Sequence, residues 1–215
     1  MMGIHWAWGF NPLFLARKAG HTGNRGKSPD MLWHDGPIMP DAVTKNIFWG
    51  KSWGSYVGDE ITGLDLWYRG FDSSVYAMAS DEYTGTNGIV SPSTAHLGHL
   101  IDTSAASGGS HTSVILAEVC NEIAKPDASG AGYYAVYTDL PRGNSSYCAW
   151  HSFGTCHGVP VQFAFFWKLD GDPGCDPEST VAGESEGLAG LWVQRGLQLE
   201  HRPSSSGQDG CIEGP

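Results

Sequence analysis

The segment from Val161 to Leu169 constrains the fold more than any other part of the chain. Every second position in it is apolar, which is the period of a β-strand, and these positions are Val161, Phe163, Phe165, Trp167 and Leu169. Ala164 and Phe166 add apolar side chains on the opposite face. A strand with two apolar faces is typical of the interior of a sheet that is covered on both sides. The segment therefore predicts a central strand between two packed layers.

Other periodic segments interleave strands with helices. Val43 to Trp49 and Tyr133 to Thr138 are rich in β-formers and predict two more strands. Apolar residues spaced by three and four predict two short helices between Leu64 and Met78 and one longer helix around Ile115 to Ile123. The chain is therefore predicted to form a single α/β or α+β domain with a mixed central sheet and flanking helices.

Both ends of the chain lack this periodicity. Residues 1–30 include the polar, Gly-rich run from Gly20 to Lys27 and lack the ordered features of an export signal, so they are interpreted as an irregular leader. Residues 192–215 contain Gly196 and Pro203, which oppose a long helix, and are interpreted as a loosely ordered, atypical tail. The organised domain is placed at residues 31–191, a size that suits one hydrophobic core.

The charge and hydropathy of the chain exclude two classes of partner. Its 215 residues carry a formal net charge of -11, which repels the phosphates of nucleic acids and anionic lipids. Its longest apolar runs are far shorter than the roughly 20 residues that cross a bilayer. We therefore expect neither nucleic-acid binding nor membrane insertion.

The cysteines and one sequon favour an oxidising, extracellular compartment. The five cysteines include no Cys-x-x-Cys pair, and Cys148 and Cys156 are predicted to close a small disulfide loop. His151 and His157 lie next to these thiols, so zinc binding or a Cys-His nucleophilic pair is the alternative. The disulfide with a structural His151 is favoured, because the chain fits an oxidising compartment better than it fits a catalytic thiol. Asn144 begins an Asn-Ser-Ser sequon and is a candidate glycosylation site.

An acidic run follows the Phe-rich strand. Asp170, Asp172 and Asp176 alternate with glycines and could direct several oxygen ligands at a calcium ion. The run lacks the spacing and the closing glutamate of an EF-hand, so an acidic turn that ends the strand is the favoured interpretation. Calcium stays open as a cofactor on these three residues.

Tryptophans offer one further binding chemistry. Indole rings stack on sugars when they are exposed, although most aromatic residues in such strands pack in a core. The candidates for carbohydrate contact are Trp49, Trp53, Trp67, Trp150 and Trp167.

Several blocks of the chain, in the same order, are similar to those of one known family. They are Trp33 to Met39 with the following Val43 to Gly50, Ser113 to Cys120, Gly132 to Asp139, Tyr147 to Ser152, Gln162 to Phe166, and Leu169 to Pro177. They resemble the EXORDIUM (phosphate-induced protein) family, especially its microbial branch, over about three quarters of the chain. Asp35 stands where the family's "HGGP" turn has its first glycine.

The resemblance implies a location more strongly than a reaction. Members of this family are secreted or associated with the cell wall, and the plant members are linked to phosphate response and growth signalling. We therefore expect a noncatalytic binding or signalling role at the cell surface or wall, with an extracellular protein or carbohydrate as partner.

The microbial branch also suggests an alternative function. Its members commonly continue into a helix with His-Glu and Thr-Asp-Pro, which resembles a zinc-peptidase site and implies a zincin-like form of the fold. This chain instead has Glu200 followed by His201, without Thr-Asp-Pro. Neither zinc nor a catalytic residue is therefore expected here. The alternative is that the chain is a truncated or frame-altered member of a zinc-peptidase-like metallohydrolase branch.

Overall fold

The structure, a computed structural model, describes residues 38–170 together with Asp172 and Cys175. Its elements in chain order are β1 (Ala42–Trp49), a 3-10 helix (Lys51–Ser55), α1 (Glu60–Phe71), α2 (Val75–Met78), β2 (Thr84–Gly85), β3 (Gly88–Ile89), β4 (Thr94–Asp102), α3 (Thr112–Glu122), β5 (Gly132–Pro141), β6 (Ala149–Cys156) and β7 (Val159–Lys168). The predicted leader and tail lie outside the described residues.

Five strands form one mixed sheet in the order β4-β1-β5-β7-β6. Strands β4, β1, β5 and β7 are parallel, and β6 runs antiparallel to β7 at the edge. This confirms the predicted fold class of a mixed sheet with flanking helices. It also confirms that the Phe-rich segment is an interior strand, since β7 lies between β5 and β6 and its residues from Val161 to Phe166 are at most 3 % exposed.

The two faces of the sheet bury separate apolar clusters. On one face, α1 packs Leu64 and Tyr68 against a cluster that includes Phe166. On the other face, α3 packs Ile115 and Val119 against a cluster that includes Phe165. Consecutive residues of β7 therefore supply opposite cores, as the alternation of side chains along a strand requires. We refer to these surfaces of the sheet as the α1 face and the α3 face.

Two of the five strands were not predicted. β4 is an edge strand whose burial alternates between half-buried and exposed, and it contains three glycine or histidine positions that interrupt the usual strand pattern: His96, Gly98 and His99. β6 occupies the stretch that was interpreted as a loop closed by a disulfide. Both become strands because a neighbouring strand, β1 or β7, supplies the hydrogen-bond partners.

The predicted pairing of Cys148 with Cys156 is wrong, although the prediction that the chain forms disulfides is confirmed. The structure pairs Cys120 with Cys156 and Cys148 with Cys175, at Cα–Cα distances of 5.0 and 5.7 Å. Cys148 and Cys156 lie at opposite ends of β6, roughly 25 Å apart for an extended strand. A disulfide requires Cα atoms within about 7 Å, so an extended β6 rules out the predicted pair.

Candidate functional site

The carboxyl edge of the parallel strands is the expected position of a ligand site in this fold. In open α/β sheets, ligands bind beyond the carboxyl ends of strands where the chain changes direction across the sheet. Here the chain passes from β1 through α1 to β4 on one side, and then through α3 to β5 on the other side of β1. The switch therefore lies between β1 and β5, whose carboxyl ends present Gly50 and Asp139.

Asp139 is held tightly against the end of β1. Both the backbone N–H and the hydroxyl of Ser52 donate hydrogen bonds to Asp139 Oδ2, at 3.0 and 3.2 Å. Gly50 has a φ of 139°, and a Cβ atom there would collide with the Asp139 carboxylate. Only glycine therefore allows this carboxylate to lie over the first strand.

A second polar cluster lies at the end of β7. Lys168 Nζ contacts the carboxylates of Glu60 and Asp170, the latter at 2.7 Å, and lies over the rings of Trp53 and Tyr56 at 4.5 and 4.6 Å. Tyr56 donates a hydrogen bond to Asp170 at 3.0 Å. Burial and this bond to a carboxylate raise the pKa of the Tyr56 hydroxyl above its usual value. In this cluster the ammonium group of Lys168 therefore contacts two carboxylates, those of Glu60 and Asp170.

The aspartates proposed as calcium ligands have separate partners. Asp170 contacts Lys168, whereas Asp172 accepts two hydrogen bonds from the Arg142 guanidinium at 2.9 and 3.0 Å. Asp176 lies outside the described residues. Calcium on these three residues stays a prediction, and two of the carboxylates are matched by basic side chains of the protein.

The α1 face carries a buried network of histidines around one carboxylate. Asp65 of α1 accepts a hydrogen bond from His96 Nε2 at 2.9 Å and another from His99 Nδ1 at 2.8 Å. Thr44 of β1 completes the network by donating its hydroxyl to His96 Nδ1 at 2.9 Å. The side chain of His99 is 32 % exposed, so this end of the network reaches the surface.

Burial and hydrogen bonding set the charge state of this network. Burial tends to raise the pKa of Asp65, but the bonds from His96 and His99 outweigh it and lower that pKa. Burial lowers the pKa of His96, whose side chain is only 1 % exposed and stacks on Tyr68. The stable form is thus an ionised aspartate that accepts from a neutral His96. Asn46, the register neighbour of His99, is fully buried, and its amide has no hydrogen-bond partner among the described residues.

The α3 face carries a group of carboxylates, which we call the carboxylate cluster. Asp102 ends β4, while Glu118 and Glu122 lie one turn apart on α3, and one oxygen of each lies within 4.8 Å of the others. Ser104 donates its N–H to Asp102 Oδ1 at 2.8 Å and its hydroxyl to Oδ2 at 2.5 Å. Ser104 Oγ in turn accepts from Trp49 Nε1 at 3.0 Å, which fixes Asp102 to the core.

The pKa values of Glu118 and Asp102 are shifted in opposite directions within the carboxylate cluster. Burial, followed by the negative charge of Asp102, raises the pKa of Glu118 to about 8. Burial acts to raise the pKa of Asp102 as well, but the hydrogen bonds from Ser104 outweigh it and lower that pKa. Near neutral pH, Glu118 is therefore protonated in the absence of another counter-charge.

The remaining sequence candidates lie apart from these clusters. His151 is half-buried on β6 opposite Ala164, and Asn144 is exposed in the turn between β5 and β6, where a glycan could be attached. None of the five tryptophans named for carbohydrate stacking is exposed: Trp49 and Trp53 are buried and the others are half-buried. Stacking on an open indole face is therefore not supported.

Sequence reasoning missed the two most organised polar groups. His96 and His99 are scattered histidines until β4 pairs with β1 and α1 brings Asp65 over them. Glu118 did carry a local signal, because it stands one turn after Ile115 and next to Val119 on the buried side of a helix. A glutamate on an apolar helical stripe is a site candidate, since charged residues are almost never fully buried without a partner.

No family model matches this chain, and neither a curated protein nor a solved structure is similar to it. The likeness to the EXORDIUM family stays a prediction that rests on the sequence blocks alone.

Proposed function

We propose that this chain is a secreted, noncatalytic protein that binds a partner at the cell surface or wall, as the resemblance to the EXORDIUM family implies. The observation that carries the proposal is the pair of disulfides, Cys120–Cys156 and Cys148–Cys175. Disulfides persist in oxidising compartments and are rare in the cytosol. No helix among the described residues is long and apolar enough to cross a bilayer, which is compatible with this location.

The carboxyl edge of the sheet is the binding surface that we favour. Asp139 and Asp170 lie there on the ends of β5 and β7, and Lys168 is already matched by Glu60 and Asp170. An edge with excess carboxylates attracts a basic partner and speeds its association. The half-buried or buried state of the tryptophans disfavours a sugar that stacks on indole, so an extracellular protein with a basic surface is the favoured partner.

The location is tested by disulfide mapping of the secreted protein. The chain would be exported from a eukaryotic host behind a standard signal sequence, and non-reduced peptides would be analysed by mass spectrometry. We expect the two disulfide pairs and a glycan on Asn144. Export of a stable protein whose cysteines are all free thiols would contradict an oxidising location.

The binding surface is tested with charge variants that are matched in number. Asp139→Asn combined with Asp170→Asn removes two charges from the carboxyl edge, whereas Asp41→Asn combined with Asp81→Asn removes two exposed charges elsewhere. The probe is binding of labelled protein to intact cell walls and to cells at several salt concentrations. We expect the edge variant to bind about tenfold more weakly and the control to bind like the parent protein.

Two outcomes would overturn the proposal. Equal binding by both double variants would remove the carboxyl edge from the binding surface. Cleavage of casein that a chelator abolishes would show catalysis by a chain that lacks the His-Glu and Thr-Asp-Pro motif, and it would favour the zinc-peptidase-like alternative.

A further inference from the structure

The carboxylate cluster combines three oxygen donors at the distances that one metal ion requires. Asp102, Glu118 and Glu122 each place one carboxylate oxygen within 4.8 Å of the other two. Calcium binds oxygens at about 2.4 Å, so two ligands on opposite sides of one ion are about 4.8 Å apart. Magnesium binds oxygens at about 2.1 Å, so its ligands lie within about 4.2 Å of each other, and the upper bound of 4.8 Å admits either ion.

A second observation comes from the burial of Glu118. The residue is only 6 % exposed, and its Oε1 atom has no hydrogen-bond partner among the residues that the structure describes. A buried carboxylate oxygen without a partner costs free energy unless a proton or a cation is bound nearby. None of the ion pairs within the described part of the chain involves Asp102, Glu118 or Glu122. The described part of the chain therefore offers these carboxylates no basic side chain.

We infer that Asp102, Glu118 and Glu122 form a binding site for one divalent cation of the calcium class. Carboxylate oxygens are hard ligands that suit calcium, magnesium and manganese, and calcium is favoured over magnesium because magnesium demands near-ideal octahedral geometry and dehydrates reluctantly. The cation replaces the missing counter-charge, and water molecules fill its remaining positions. Asp102 and Glu122 are half-buried, so the ion reaches the site from solvent.

Asp102 and the helix that carries the other two ligands are held in place before the ion binds. Ser104 fixes both oxygens of Asp102 and is itself anchored by Trp49, while the disulfide of Cys120 ties α3 to the end of β6. Only three protein ligands contribute, which places the affinity in the range of extracellular calcium modules, with a dissociation constant of roughly 0.1–1 mM. The inference does not depend on the proposed function, because it concerns the α3 face and requires no partner.

The direct test is a calcium titration of the full, oxidised chain by calorimetry at pH 7.5. We expect one saturable site for CaCl2 and binding of MgCl2 that is at least tenfold weaker. Glu118→Gln and Asp102→Asn should each weaken calcium binding by at least tenfold. Asp41→Asn, which removes one exposed carboxylate elsewhere, is the control and should bind like the parent protein.

Terbium luminescence gives a readout that survives if a cluster variant fails to fold. Terbium replaces calcium and emits when a nearby indole is excited, and Trp49 Nε1 lies 3.0 Å from the serine that holds Asp102. We expect emission from the parent protein that excess calcium displaces. No saturable calcium binding up to 10 mM (about tenfold above the expected range) would overturn the site. Terbium emission that calcium does not displace, or calcium binding that is equal in all carboxylate variants, would also overturn it.

Discussion

The two faces of the sheet bury acidic groups in opposite ways. On the α1 face, Asp65 is 8 % exposed and accepts hydrogen bonds from two imidazoles. On the α3 face, Glu118 is 6 % exposed and faces two other carboxylates. The first charge is stabilised by groups that the fold itself supplies, whereas the second requires a proton or a cation from solvent.

This difference separates a structural group from a ligand site. A buried charge with good partners stabilises one arrangement of its neighbours and needs nothing further. A buried carboxylate beside other carboxylates has a free energy that depends on pH and on cations. Substitutions at the two positions should therefore differ in sign.

The largest expected effect is the loss of a buried ring from either core. It tests whether the α1 face and the α3 face contribute equally to stability. Phe165 packs on the α3 face and Phe166 on the α1 face, and they are at most 1 % exposed. Each change, Phe165→Ala or Phe166→Ala, should lower the free energy of unfolding by roughly 3–5 kcal/mol, because each leaves a cavity beside a central strand. Urea unfolding of the oxidised protein measures both, and Phe153→Ala, at an exposed ring, is the control.

A loss below about 1 kcal/mol at one position only would show that the corresponding face is loosely packed. A loss of roughly 3–5 kcal/mol of unfolding free energy at both positions would show that the two faces are packed equally well.

The second effect concerns the network on the α1 face. Asp65→Asn keeps the shape of the side chain but leaves one imidazole N–H facing an amide that cannot accept its hydrogen bond. We expect a loss of about 2–3 kcal/mol of unfolding free energy at pH 7, measured by urea unfolding. A neutral or stabilising result would mean that Asp65 is as poorly matched as Glu118, and the contrast between the faces would fail.

The third effect has the opposite sign. Glu118→Gln removes the charge, and its amide can still donate to Asp102. In a chelator at pH 8, we expect this variant to be about 1–2 kcal/mol more stable than the parent protein. With 10 mM calcium (about tenfold above the expected dissociation constant) the order should reverse, because only the parent protein gains free energy from the ion. A destabilised Glu118→Gln variant in chelator would show that the native carboxylate is already satisfied.

The smallest expected effect is the pH dependence of the stability that Glu118→Gln gains over the parent protein in chelator. The folded pKa of Glu118 is about 8, well above that of an unfolded glutamate, so the folded state binds more protons between these values. The parent protein therefore loses stability at this position as pH rises toward 8, whereas the amide of the Glu118→Gln variant does not titrate. The advantage of the variant should shrink by about 1 kcal/mol when melting is compared at pH 8 and pH 5.

Asp65→Asn gives the matching control for pH. The hydrogen bonds from His96 and His99 lower the pKa of Asp65, so its contribution is present above the unfolded pKa and is lost on acidification. Asp65 itself therefore contributes no change between pH 8 and pH 5. Its loss also lowers the pKa of His96 further, so a small increase of the cost is expected as the pH falls through the pKa of an unfolded histidine, about 6.5. If the stability difference of Asp65→Asn changed with pH as much as that of Glu118→Gln, the pH dependence would come from the net charge of the protein and not from Glu118.

The sequence by itself determined the elements whose side chains repeat with a clear period. The predicted strands at residues 43–49, 133–138 and 161–169 and the helix around residues 115–123 correspond to β1, β5, β7 and α3. The two apolar faces of the Phe-rich segment also predicted a covered sheet. These features depend on local alternation, which neighbouring residues encode directly.

Only the tertiary structure decided the disulfide pairs and the polar clusters. Cys120 and Cys156 are 36 positions apart, and Asp65 lies 31 and 34 positions from its two histidines, so local spacing carries no information about them. The sheet order sets these contacts: it extends β6 and so separates Cys148 from Cys156, and it places β4 beside β1 under α1. Glu118 lies between these cases, because the helix that carries it was predicted, but its burial was not, and Asp102 belongs to a strand that the sequence did not reveal.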